Sequence, residues 1–135
     1  MSMENIMRLW NDGVEEGVNR PKFSIEAKTA SYTVKSSDFF TVFTTRGATG
    51  AVTFTLPTAS SVNKGDLVVF INVANQNMLV AGAAAGLVVY NNAAATSIAY
   101  QTTSEKIAGA FLAISDGTSW IVLPISTETQ TITVA

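Results

Sequence analysis

The sequence predicts an all-β domain, a β-sandwich of jelly-roll-like form, preceded by a short N-terminal arm that is helical or extended. Three observations carry this prediction. From Ser24 onward, short runs alternate apolar and polar residues with a period of two. Gly, Pro, Asn and Asp clusters separate those runs at close intervals. No long helical pattern stands between one strand and the next, which disfavours βαβ units. The expected boundaries are residues 1–22 for the arm and 23–135 for the sandwich.

Taken in order, Met3, Ile6, Met7, Trp10 and Val14 recur at helical spacing and define one short amphipathic segment. Asn11-Asp12-Gly13 stops it, with Gly13 suited to the residue just past a helix end. Gly17 and Pro21 mark residues 14–22 as a linker. Tyr32 and Val34 then alternate with Thr33 and Lys35. A strand is expected over residues 39–44, and Arg46-Gly47-Ala48-Thr49-Gly50 is a turn. Val52, Phe54 and Leu56 share one face of the next strand, which Pro57 ends because it cannot donate to a ladder. Residues 67–72 read as one strand, continuously apolar up to Asn72, the pattern of a strand buried on both faces.

Asn75-Gln76-Asn77 precedes a strand at Met78-Leu79-Val80-Ala81, and residues 87–90 and 97–100 read as further short strands. The strongest hairpin joins residues 107–115 to Trp120-Ile121-Val122-Leu123 through Asp116-Gly117-Thr118-Ser119, with Pro124 closing it. Ile132 and Val134 lie on one face of a last strand. That makes nine or ten strands in all. Ala83-Ala84-Ala85 and Ala93-Ala94-Ala95 fit least well, since Ala is poor in strands.

Composition excludes several classes of function. The 135 residues contain neither Cys nor His, which removes disulfides, thiolate and imidazole chemistry, and His- or Cys-ligated metals. Eight basic residues and a net charge of −2 argue against tracking a nucleic-acid backbone. The longest apolar run, residues 78–90, falls short of the ~20 residues a membrane helix needs. Its Gly82 and Gly86 therefore do not form a membrane dimerisation motif.

No chemical constellation stands out. Asp12, Glu15 and Glu16 cluster on a linker, where nothing holds them rigidly for acid–base work, and their spacing fails the EF-hand pattern. Gly47-Ala48-Thr49-Gly50 lacks the Gly-Lys-Ser/Thr of a phosphate loop. Lys64 and Lys106 are isolated. Asp116 is expected to hydrogen-bond the backbone of its own turn. Core or interface packing is the expected role of Trp120. No enzyme activity, cofactor or metal is expected.

Charge placement points elsewhere. Nine of the 18 charged residues lie in the first 28 positions, and none lies between residues 67 and 104. Isolated domains carry both signs all round. A charge-free stretch of this length is expected to face another protein chain. The arm's apolar side chains do not by themselves balance the entropy of ordering it. It is thus expected to order only on a partner or a neighbouring subunit, anchored by Met3, Ile6, Met7, Leu9 and Trp10.

SYTVKSSDFFTVFTTRGATGAVTFTLPTA, then KGDLVVFINVA, then FLAISDGTSWIVLP together resemble the small β-domains of tailed-bacteriophage virion proteins. The shared features are a Thr-rich early strand, a Gly-Ala-Thr-Gly turn before VTFTLP, a charge-poor middle, and an Asp-Gly turn before a Trp-containing strand. The chain is most similar to a capsid decoration, or cement, protein. That resemblance implies a homotrimer on the outer surface of the virion capsid, bound to the major capsid protein, with neither nucleic acid nor membrane as partner. The alternative is a tail-fibre, head-fibre or baseplate module that binds a host receptor or glycan. Tyr90, Asn91, Asn92 and Tyr100 would then supply the sugar-binding surface.

Overall fold

The computed structural model describes residues 23–135, so the arm and its five anchoring residues lie outside the described residues. The described chain forms the expected all-β sandwich. Its strands are β1 (Ser24–Ala27), β2 (Tyr32–Thr33), β3 (Thr41–Thr44), β4 (Val52–Thr55), β5 (Leu67–Ile71) and β6 (Met78–Ala81) in the first half. The second half supplies β7 (Leu87–Val89), β8 (Asn92–Ala95), β9 (Ser97–Tyr100), β10 (Ala110–Ser115), β11 (Trp120–Ile125) and β12 (Thr133–Val134). One sheet has the order β1-β3-β5-β10-β11-β7-β8, the other β12-β9-β6-β4-β2.

Both sheets mix parallel and antiparallel pairs. The first six strands alternate between the sheets, so β1, β3 and β5 pair in parallel on one side and β2, β4 and β6 on the other. This half of the chain winds as a flattened coil. The second half contributes antiparallel pairs, β10 with β11 and β7 with β8. The two halves join where β10 pairs antiparallel with β5 in one sheet and β9 with β6 in the other.

Between the sheets lies an aromatic core. Val52 and Phe54 of β4, Val68 and Phe70 of β5, and Phe43 of β3 are fully buried, as their period-two pattern demands. Phe54 sits 4.7 Å from Phe70 and 5.7 Å from Phe43, centroid to centroid, so these rings stitch the two sheets together. Trp120 is also core, packed 5.5 Å from Phe39, and its indole N–H donates to the Pro57 carbonyl at 2.6 Å. Tyr100 stacks on Phe111 at 4.5 Å. A Cβ at Gly109 would lie 2.6 Å from the Tyr100 ring, so that position requires glycine for close approach.

Several local expectations are corrected. The run 67–71 is not buried on both faces: Val68 and Phe70 point inward, while Leu67, Val69 and Ile71 stay partly exposed. β3 begins at Thr41, because a 3₁₀ turn at Ser36–Asp38 and a left-handed Phe40 (φ 66°) precede it. Pro124 does not close β11, which runs on to Ile125. At that point β7 no longer flanks the strand, so the missing N–H breaks no ladder bond. The two Ala runs part company: residues 93–95 complete edge strand β8, whereas Ala84 and Ala85 adopt positive φ in a turn.

Polar anchors fix the loops. Asn72, fully buried at the end of β5, accepts a hydrogen bond from Thr45 Oγ1 at 2.6 Å. Its amide donates to the carbonyls of Gln76 (2.8 Å) and Lys106 (3.1 Å). Thr45 Oγ1 in turn accepts from the amides of Val73 and Ala74. Asp116 behaves as the sequence predicts, accepting from the amides of Thr118 and Ser119, and those bonds hold its carboxyl below the usual range. Tyr32 donates to Asp38 at 2.6 Å. That bond, then burial, then the nearby negative charges of Asp38 and Glu26 push the phenol up to about 12.

Candidate docking face

Strand alternation gives each sheet an inner and an outer face, and register decides what the outer face presents. On the seven-stranded sheet, Ile25 pairs with Val42, Val42 with Val69, Val69 with Leu112, and Leu112 with Leu123. One aliphatic row thus crosses five strands. A second row runs Leu67, Ile114, Ile121, Val88. A third runs Ala27, Thr44, Ile71, Ala110, Ile125. Thr44 is the only polar side chain in the three rows, and none is charged.

Thr44 and Ala110 are buried, but the other residues of the rows are partly or largely exposed. Ile25 is 67% exposed, Leu123 52% and Ile125 54%. Toward the centre, Val42, Val69, Leu112 and Ile114 remain partly exposed. At ~4.8 Å between strands and ~3.4 Å per residue, the rows cover roughly 400 Å² in projection. Apolar patches of that size often serve as interaction surfaces, which makes this face the candidate docking surface. Chemically the face can bury apolar groups and can neither donate nor accept a proton. Sequence reading missed it as a site because the signal lies in the pairing of distant strands.

The aromatic and Asn cluster considered for glycan binding does not assemble. Tyr100 is fully buried and donates to the Ala110 carbonyl at 3.0 Å, with burial pushing its phenol up. Tyr90 is 72% exposed at the β7–β8 turn, without Tyr100 beside it. Lys64 packs along the Asp-Gly turn, where a Cβ on Gly117 would meet its side-chain carbons at 2.9 Å. Among the described residues, no three acidic side chains gather where they could hold a metal ion.

An open cleft of about 470 Å³ lies beside the C-terminal turn, lined in part by Glu105, Ile107, Ile125 and Gln130. Two of its polar side chains, Gln130 and Glu105, are already engaged in tying that turn down. Gln130 donates to the Ile107 carbonyl at 3.1 Å, and the Glu105 carboxylate accepts from the Thr131 amide at 2.7 Å. The cleft therefore offers little specific chemistry to a ligand. No protein-family model matches the chain, and no curated protein is detectably similar to it.

Proposed function

We propose that this protein is a non-enzymatic virion component, a capsid decoration protein that forms a homotrimer through charge-poor β surface. It binds the outer surface of an assembled bacteriophage head and bridges neighbouring subunits of the major capsid protein. The observation that supports this most is the aliphatic outer face of the seven-stranded sheet, a surface suited to protein contact and to no chemistry. The likeness of residues 31–123 to phage virion β-domains adds to it. The mechanism is mechanical. A protein that binds the assembled lattice but not separated subunits stabilises the lattice by linkage. Repeated equivalent contacts within a trimer add avidity. Met3, Ile6, Met7, Leu9 and Trp10 of the arm supply further apolar anchoring on the coat.

Gold-labelled antibody microscopy of virions containing this protein tests the reading. Label distributed over the head is the expected result. Label confined to the tail or its tip would overturn it and promote host adsorption instead.

A further inference from the structure

We propose that in the free protein the apolar stripe of residues 3–10 lies across the outer face of the seven-stranded sheet of its own chain. Size is the first argument. A stable protein–protein interface buries about 800 Å² per partner. The aliphatic rows offer about half of that in projection, too little to hold a second copy unaided. An amphipathic helix ~10–12 Å wide fits on them.

Position is the second argument. The arm enters the described domain at Phe23, immediately before β1, the edge strand of this sheet. Ile25 of β1 begins the longest aliphatic row. Residues 11–22 separate Trp10 from Phe23, and a 12-residue connector has a root-mean-square length of about 20 Å. The row from β1 to β11 spans about 19 Å. A tether that matches its target gives an effective concentration in the mM range. Free copies at lower concentration lose that competition.

Charge is the third. Wound as a helix, Met3, Ile6, Met7 and Trp10 fall on one side. Glu4 and Arg8, four residues apart, fall on the other. Laid on the sheet, the segment would replace an uncharged aliphatic surface with a charged one. The sequence alone showed no acceptor for this stripe within the chain; the register of β1, β3, β5, β10 and β11 supplies one. Under the proposed function, docking on the head exchanges this internal partner for the coat. The self-contact itself does not depend on where the protein acts.

The chain's two tryptophans make the test direct. Trp120 is 1% exposed, so emission that iodide quenches belongs to Trp10. Full-length protein is expected to show little iodide quenching, unchanged on dilution through any dissociation of oligomers followed by light scattering. Leu123→Lys, at a half-exposed position, and Val69→Asp, at the centre, are expected to raise the quenching constant several-fold. Thr53→Asp, on the opposite sheet, is expected to leave it unchanged. Circular dichroism checks that each variant is folded, and Leu123→Lys carries the test should Val69→Asp unfold. Free quenching in the unaltered protein would overturn the proposal, as would protection indifferent to Leu123→Lys. Protection that disappears in step with oligomer dissociation would also overturn it, by assigning the face to a second copy. None of these results moves the label on a virion, so the two proposals fail separately.

Discussion

The outer faces of the two sheets are built on the same kind of backbone and differ in chemistry, one mixing Thr and Ser with apolar residues and the other almost wholly aliphatic. On the five-stranded sheet, Thr33, Thr55, Ala81 and Ser97 form one row, and Thr53, Leu79, Ala99 and Thr133 another. On the seven-stranded sheet, the matching rows are Ile, Val and Leu. Thr and Val are both β-branched and serve a strand equally well. Strand formation therefore does not explain the aliphatic choice, and the core does not either, since these side chains point away from it. The difference singles out the seven-stranded face as the one on which the proposed contacts rest.

The largest expected effects lie on the inner faces, where the comparison has its baseline. Phe54→Ala removes the ring between Phe43 and Phe70, and a loss of about 3–5 kcal/mol is expected, read from the urea midpoint. Asn72→Ala should follow at about 2–3 kcal/mol by the same measurement, because it strands the Thr45 hydroxyl and the carbonyls of Gln76 and Lys106. The outer faces then separate. Val69→Thr in the full chain should cost about 1 kcal/mol or more, the penalty of a hydroxyl under a cover. Its mirror on the other sheet, Thr53→Val, should change stability by less than about 0.5 kcal/mol. Equal effects at the two positions would erase the distinction.

The smallest expected effect is pH-dependent. Tyr32 has a folded pKa of about 12, above its ordinary value of 10. A raised folded pKa means the native state holds the proton more tightly. The Tyr32–Asp38 bond thus contributes stability that is complete below pH 10 and is lost as pH rises toward about 12. Thermal melts across that range should fall less steeply for Tyr32→Phe than for the unaltered protein.

Much of the fold was legible where one residue decides one feature. Val52, Phe54 and Leu56 announced β4, Pro57 ended it, and Asp116-Gly117 placed the β10–β11 hairpin. What remained hidden depends on partners. The mixed pairing of β1 through β6 follows from which strands meet, and period-two patterns are the same in parallel and antiparallel pairs. In β5 all five residues are apolar, so neither phase of the alternation could be named inner. Tyr100 belongs to a short run whose Ser and Ala gave no hint of its stacking on Phe111. Asn72 did leave a trace, a polar residue capping an apolar run, which in hindsight marks a buried hydrogen-bond hub. The docking face had no local signature, because Val42, Val69 and Leu112 become neighbours only through register.

The coil of the first six strands also sets the order in which the molecule can be made. Neighbours in a sheet are separated there by a full circuit through the opposite sheet, so β3 meets β5 only after β4 has been laid down. The seam between β5 and β10 closes later still, across some forty residues of chain. Long loops must lose their freedom before those contacts return any energy, which places folding among the slower, millisecond-to-second topologies. During that interval the aliphatic strands stand unpaired. An aliphatic face built this way is exposed on the ribosome long before its last strands arrive to complete it.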